Sequence, residues 1–183
     1  MTTLNSILVL VATFLAVFWE AAFDGIRHFL GAQIDLLPAL MVYASLCCGL
    51  ATMTAVAVIG GLLFDTLSAN PLGITILPLF VCGFVLYSQR ELVLRNQLFA
   101  QAVIGLAASA IVPLLTVLLL LTCSTAPLLG WGSLWQWLVM ALGGAMATPV
   151  IFQFFELFDR ALNYRRTAET SFRPDREIRR GRK

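Results

Sequence analysis

The side chains of this sequence that could do chemistry are few, and their spacing does not assemble a catalytic site. The chain has 10 Asp and Glu residues, one histidine and four cysteines, without a CxxC motif or a Cys/His cluster. It also lacks the GxSxG, HExxH and P-loop patterns of common nucleophile, zinc and phosphate sites. Paired acids can do acid–base chemistry, but nothing in the spacing of Asp24, Asp35 and Asp65 fixes them near one another. We therefore expect neither an enzyme nor a bound metal or cofactor.

The composition predicts the surroundings of these few polar groups. Hydrophobic residues make up 60% and charged residues 12% of the 183 residues, whereas soluble domains average about 25% charged residues. A membrane-spanning helix needs roughly 20 apolar residues, and the apolar runs of this chain are 4–23, 36–64, 71–87, 98–123 and 134–155. The sequence therefore predicts an all-α integral membrane protein, with the N-terminal run retained as its first helix.

The second apolar run, 36–64, is the hardest to assign. As one helix its 29 residues would extend about 43 Å, more than the hydrocarbon core of about 30 Å. Gly49, near the middle of the run, offers a tight turn, so the run can hold two short or tilted helices. We favour this interpretation, which gives six membrane helices; one long helix would give five.

Basic residues set the predicted orientation. Most of the 12 Lys and Arg residues lie between Arg160 and Lys183, and cytoplasmic segments carry an excess of such residues. With five or six helices, the tail lies inside and Asp65 lies on the opposite side. We expect a membrane domain over residues 1–159 and a basic tail over 160–183, which orients the chain or contacts anionic lipids. The candidate lipid contacts are Arg165, Arg166, Arg173, Arg176, Arg179, Arg180, Arg182 and Lys183. No folded basic surface indicates nucleic-acid binding.

A turn is predicted at the end of the uncharged run. Asn70 and Pro71 have the types of an N-cap and a first helical residue, so the next helix is expected to begin at Pro71. Gly60 and Gly61 permit close approach between helices. Asp65 can close the turn by accepting N–H groups from the first turn of the next helix. The alternative is that Asp65 contacts a partner or an ion.

Other residues are assigned structural roles. Asp35 is predicted to be a first-turn acid of the second run, and Trp19 and Glu20 are predicted to lie at the membrane interface. Pro78, Pro113 and Pro149 are expected inside helices, where each removes one backbone hydrogen bond. Small residues spaced by four suggest internal helix packing; the pairs are Gly105/Ser109, Gly143/Ala147 and Gly144/Thr148.

Three stretches are distinctive beyond their hydropathy: QIDLLPALMVYASL, which contains Asp35; GGLLFDTLSANPLG, from Gly60 to Gly73; and TPVIFQFFELFDR, at the end of the last helix. With the charged loop SQRELVLRN between the second and third, they resemble the rod shape-determining protein MreD family. The most specific part is the pattern G-x-x-x-D-x-L-S-x-x-P-L-G from Gly61 to Gly73. The remainder of the resemblance, over about residues 4–159, is mainly hydropathy and segment order.

The resemblance implies a six-helix protein of the bacterial inner membrane, and with six helices the basic residues favour cytoplasmic termini. Such proteins belong to the machinery that directs lateral peptidoglycan synthesis. Their partner is MreC, a bitopic coiled-coil protein, and through it a class B penicillin-binding transpeptidase, the RodA glycosyltransferase and MreB filaments. The family fold is similar to the substrate-binding S components of energy-coupling-factor vitamin transporters. The resemblance implies no catalytic residues.

Two functions follow from the resemblance. The first is a scaffold that clamps the MreC transmembrane helix, for which the Gly/Ala-rich helix faces and the turns are suited. The alternative is a vitamin transport subunit, motivated by the similar fold and the proline-kinked helices. The helix interiors carry few groups able to orient a vitamin, which favours the scaffold.

Overall fold

A computed structural model describes five stretches of the chain, residues 3–22, 31–68, 70–91, 97–122 and 130–170, with side chains from residue 5 to residue 161. These stretches form six α-helices: α1 Thr3–Ala22, α2 Leu37–Cys47, α3 Leu50–Leu67, α4 Ile76–Ser88, α5 Leu98–Thr122 and α6 Trp131–Thr170. The described residues are thus all-helical, as predicted. Asp24 and the eight basic tail side chains named above lie outside the described part.

The long apolar run 36–64 is divided as the sequence predicts. α2 ends at Cys47 and α3 begins at Leu50, and both intervening residues are extended, with φ −110° and ψ 179° at Cys48 and φ −83° and ψ 164° at Gly49. A Cβ at Gly49 would meet no atom within 4 Å. The helix is therefore interrupted at Cys48 and Gly49, and two helices replace one that would be too long for a bilayer.

Four of the described helices are long and apolar enough to cross a membrane, rather than the six predicted. These segments are Asn5–Ala22, Leu50–Leu67, Leu98–Thr122 and Trp131–Ala161. The shorter α2 and α4 have 11 and 13 residues, or about 16 and 20 Å of helix. A non-helical segment precedes each of them, residues 31–36 before α2 and residues 70–75 before α4. The architecture is consistent with an all-α membrane protein.

The short helix α2 forms the core. It contacts α1, α3, α4 and α5, and every residue from Leu37 to Leu46 is buried. A helix that is apolar on all sides is stable when other helices surround it. The packing against α4 is close, since a Cβ at Gly83 would lie 2.1 Å from the Met41 side chain. α2 is therefore enclosed by protein rather than by lipid.

The chain divides into two compact units, residues 1–151 and 152–183. The described part of the second unit is helical and carries an aromatic cluster, in which the Phe154 ring lies 5.8 Å from Phe155 and 5.2 Å from Phe158. Arg160 pairs with Glu156 at 2.6 Å, and both side chains are exposed. Such surface pairs contribute little stability.

Candidate functional site

The Asp65 carboxylate closes the turn between α3 and α4. Asp65 is 1% exposed. Its Oδ2 atom accepts the backbone N–H groups of Gly73 at 2.8 Å and Thr75 at 3.2 Å, and its Oδ1 atom accepts the Thr75 hydroxyl. These bonds satisfy backbone donors that lie before the first helical turn. Asp65 therefore closes the turn, but through N–H groups that precede α4 rather than through the first-turn groups that the sequence predicts. Its contact with a partner stays a prediction.

The predicted start of the following helix is wrong. Residues 72–75 form a turn, and α4 begins at Ile76 rather than at Pro71. Gly73 has φ +88°, a left-handed conformation that cannot continue a right-handed helix. Asn70 is consequently not an N-cap; its own N–H bonds to the Ser68 hydroxyl at 3.3 Å. The signal missed was Gly73, two residues beyond the proline.

A second correction follows from the later helix start. Pro78 is predicted to remove a backbone hydrogen bond inside a helix, but it is the third residue of α4. N–H groups in the first turn have no intrahelical acceptor, so proline removes no helical hydrogen bond there. Pro113 and Pro149 do lie inside helices, α5 and α6, as predicted.

The two glycines before Asp65 bring α3 against its neighbours. A Cβ at Gly60 would lie 2.6 Å from Leu37 of α2 and 2.9 Å from Thr13 of α1, and one at Gly61 would lie 3.0 Å from the backbone of Ile76 in α4. Side chains at these positions would force the helices apart, since real Cβ contacts are longer. The predicted close approach at Gly60 and Gly61 is therefore present.

Two acidic side chains accept backbone N–H groups at the N-terminus of α2. Asp35 is 4% exposed, and its Oδ1 atom accepts the N–H of Leu37 at 2.8 Å. Glu20, near the end of α1, accepts the preceding N–H, that of Leu36, at 2.5 Å. Burial raises the pKa of the Asp35 carboxyl from 3.8 to about 6. Asp35 is therefore not the first-turn residue that the sequence predicts, because it precedes the N-cap Leu36, but its side chain accepts an N–H group of the first turn.

Glu20 is more than the interface residue that the sequence predicts. Its Oε1 atom bonds to Leu36, whereas its Oε2 atom is buried without a hydrogen-bond partner among the described residues. Trp19, by contrast, is 55% exposed, as expected of an interface residue. The signal that could have identified Glu20 is an acid inside a membrane helix, because such acids are rare unless they have an internal role.

A glutamine pair holds the segment before α2 against α6. The Gln33 N–H donates to Gln136 Oε1 at 3.1 Å, and the Gln136 amide donates to the Gln33 carbonyl at 3.0 Å. This pair satisfies both backbone groups of a non-helical residue. The contact joins residues 103 positions apart, and no local pattern in the sequence indicates it.

The small-residue pairs serve internal packing. A Cβ at Gly105 would lie 2.0 Å from Thr148, and one at Gly144 would lie 1.8 Å from the Ser109 hydroxyl, so α5 and α6 cross in close contact. A Cβ at Gly143 would lie 2.6 Å from Ile34. Ala147 is half-buried on the same helix. The glycine faces predicted to suit a partner helix are therefore occupied within the protein.

Beyond this crossing, α5, α6 and the residue before α6 line an open cavity of about 890 Å³. It is mainly apolar, and its lining includes Pro113, Val117, Gln136 and Trp137. The Trp137 indole N–H donates to the Ala110 carbonyl at 2.9 Å. Pro113 cannot donate to the carbonyl four residues earlier, so α5 is weakened at this level. The indole bond ties α6 to α5 beside that point.

Comparison with known proteins adds no family assignment. No protein-family model matches the chain, and searches of curated proteins and of solved structures give no match. Within the described stretches, no three His, Cys, Asp or Glu side chains lie close enough together to hold a metal ion. The site is therefore defined by its hydrogen bonds, in which Glu20, Asp35, Asp65 and Gln136 bind backbone groups before α2 and α4.

Proposed function

We propose that the chain is a non-enzymatic scaffold of the bacterial cell-elongation complex, which binds MreC and supports lateral peptidoglycan synthesis and cell shape. The observation that carries the proposal is the Asp65 turn. Gly61 leaves room for the backbone of Ile76, Asp65 accepts N–H groups across the turn, and Gly73 adopts a positive φ. Gly61, Asp65 and Gly73 are all specified by the MreD-like pattern, and here they form one structural unit. Their shared structural role supports the resemblance more strongly than residue identity alone.

The proposal places all six helices in the inner membrane, with both termini in the cytoplasm. α2 and α4 would be short membrane helices. Non-helical backbone at membrane depth is tolerated where protein surrounds it and satisfies its polar groups. Gln136 and Asp65 bind backbone groups of the segments that precede these two helices, and α2 is buried along its length. These features support short helices within a six-helix bundle.

The same contacts favour a scaffold over a vitamin transport subunit. Transporters that use short or broken helices point the positive N-terminal ends at anionic substrate groups. Here the protein's own carboxylates lie at those ends, with Asp35 and Glu20 before α2 and Asp65 before α4. The N-terminal ends of both short helices are thus already occupied by internal anions.

The cavity between α5 and α6 also offers little to a vitamin. Three of its lining residues carry polar side chains: Ser133, Gln136 and Trp137. The Gln136 amide already bonds to Gln33 on both of its sides, and the indole bonds to Ala110. Small-molecule sites usually hold a few polar groups that converge on the ligand. An apolar cavity of this kind suits a hydrocarbon surface better.

Co-purification tests the scaffold proposal directly. The chain and MreC are co-expressed, extracted in mild detergent and purified through a tag on the chain. We expect MreC to be retained, and a version of MreC with an unrelated transmembrane helix to be lost. Retention of neither version, with the chain itself abundant and folded, contradicts the proposal. In the host, depletion should round the cells; normal rods after complete depletion, with no second copy of the gene, would also contradict it.

Crosslinking identifies the surface that MreC contacts. Photoreactive residues are placed one at a time at exposed apolar positions, one on each long helix and one on α4: Phe18, Leu62, Phe84, Leu118 and Val150. Crosslinks confined to one or two of these positions would define a docking face. Equal crosslinking at all five would indicate random encounters. A thermal-shift screen with vitamins addresses the alternative, because a ligand that binds the folded state raises its melting temperature.

A further inference from the structure

The N-terminus of α2 holds two carboxyl groups on consecutive amides. Glu20 Oε1 accepts the N–H of Leu36, and Asp35 Oδ1 accepts the N–H of Leu37. One group comes from the end of α1 and the other from the segment that leads into α2. The Glu20 bond therefore fastens α1 to the beginning of α2, and this fastening brings a second acid next to a buried one.

If both carboxyl groups were ionised, their surroundings would not stabilise the two negative charges. Asp35 is buried, and Glu20 Oε2 is buried without a hydrogen bond among the described residues. A buried ionised oxygen that accepts no hydrogen bond is unfavourable, and two neighbouring carboxylates that share one site cannot both ionise easily. A proton on one of the two carboxyl groups removes both difficulties.

Other charged groups near the pair are few. α1 carries no Asp, Glu, Lys, Arg or His in its described part besides Glu20, α2, α4 and α5 carry none, and α6 carries none before Glu156. The thiols and phenols of α2 and α4 are not cations; they are Tyr43, Cys47, Cys82 and Tyr87. α3 carries Asp65, whose carboxylate is engaged by Gly73 and Thr75. The connection 23–30 contains Asp24, Arg27 and His28 and lies outside the described residues. The described surroundings therefore supply no cation to neutralise the pair.

We propose that Glu20 and Asp35 hold one proton between them, and that this proton is required to fasten α1 to α2. We call this contact of Glu20 and Asp35 with the N-terminus of α2 the joint, and its stability depends on pH. With one proton the pair presents a single negative charge to two backbone donors at a helix N-terminus, an arrangement that the helix dipole stabilises. When both carboxyl groups ionise, their repulsion and burial oppose the Leu36 contact, and the end of α1 separates from α2. The inference concerns the chain alone and does not rest on the proposed function.

The test is the thermal unfolding of the purified full-length chain between pH 5 and pH 9. We expect the wild-type midpoint to fall as the pH rises, because the folded joint holds a proton that the unfolded chain releases. Glu20→Gln, which mimics the protonated acid, should exceed the wild-type midpoint at pH 9 by about 3 °C or more. The difference should shrink at pH 5. Asp35→Asn keeps an oxygen for the Leu37 amide and should likewise flatten the pH dependence.

Matched variants assign the effect to the pair. Glu156→Gln makes the same change at an exposed acid, and His28→Ala removes the histidine of the neighbouring connection; both should keep the wild-type pH profile. The inference is overturned if Glu20→Gln and Asp35→Asn also keep that profile, or if both are less stable than wild type at pH 9. It is overturned equally if His28→Ala abolishes the pH dependence.

Discussion

Replacement of Asp65 separates a turn-closing carboxylate from one that serves another role. Asp65→Leu has a similar size but cannot accept a hydrogen bond, whereas Asp65→Asn keeps one side-chain oxygen. In the wild-type chain this carboxylate is buried and accepts two backbone N–H groups and one hydroxyl. The two substitutions therefore remove different parts of the same set of bonds.

The magnitudes follow from counting those bonds. Asp65→Leu leaves the Gly73 and Thr75 N–H groups without their acceptor, and each unsatisfied buried donor costs about 1–3 kcal/mol. We expect a loss of roughly 2–6 kcal/mol, or about 5–20 °C in melting temperature for a chain of this size. In Asp65→Asn the amide oxygen can keep both N–H bonds while the amide nitrogen donates to the Thr75 hydroxyl. The loss should then be about 1–2 kcal/mol, since only the charge is removed.

Thermal unfolding in detergent measures these losses, and abundance in membranes gives a second readout. Thr66→Val is the matched control, because Thr66 is exposed next to Asp65 and its hydroxyl bonds within α3, to Leu63. It should change the melting temperature little. Equal losses for Asp65→Asn and Asp65→Leu would refute the bond count and would point to an essential charge. Full stability of both, with loss of MreC co-purification, would instead assign Asp65 to partner contact.

Further predictions concern packing and backbone conformation, each measured as a change in the thermal unfolding midpoint. Gly144→Ala places a Cβ 1.8 Å from a hydroxyl of the facing helix and should cost about 1–3 kcal/mol or more, whereas Gly49→Ala meets open space and should cost less than about 1 kcal/mol. Gly73→Ala has room for the methyl group but keeps φ +88°, so about 1–2 kcal/mol is expected from strain. Trp137→Phe removes one hydrogen bond to α5 and should cost about 1 kcal/mol; equal midpoints for all four variants would contradict these assignments.

The features that the sequence predicted well depend on neighbouring residues. Gly49 was correctly predicted to divide the long apolar run, because its central position and the excess length of a single helix both indicated a break. Asp65 was recognisable as a turn-closing acid because turn residues follow it directly. The start of α4 was predicted wrongly because the Asn70-Pro71 signal was stronger than the Gly73 signal, yet the tertiary bonds of Asp65 keep residues 73–75 out of the helix.

The features that the sequence could not predict depend on distant residues. The Gln33–Gln136 pair and the bond from Glu20 to Leu36 join segments whose approach is decided by the packing of several helices. Glutamine and glutamate in apolar helices signal an internal role, but their partners are backbone groups, which every residue has. The sequence therefore does not show which backbone group such a side chain will bind.

Three described acids of the first unit, Glu20, Asp35 and Asp65, share one structural use, which bears on how their loss should be interpreted. Glu20, Asp35 and Asp65 accept backbone N–H groups where a helix is about to begin. The two helices that begin there, α2 and α4, are too short to cross a membrane alone, so their first residues depend on these side chains. Replacement of one of these acids is therefore expected to destabilise a short helix even where no partner contact is lost. Loss of MreC binding in such a variant supports direct contact only if the melting temperature and abundance are unchanged, and this condition separates architecture from recognition at all three positions.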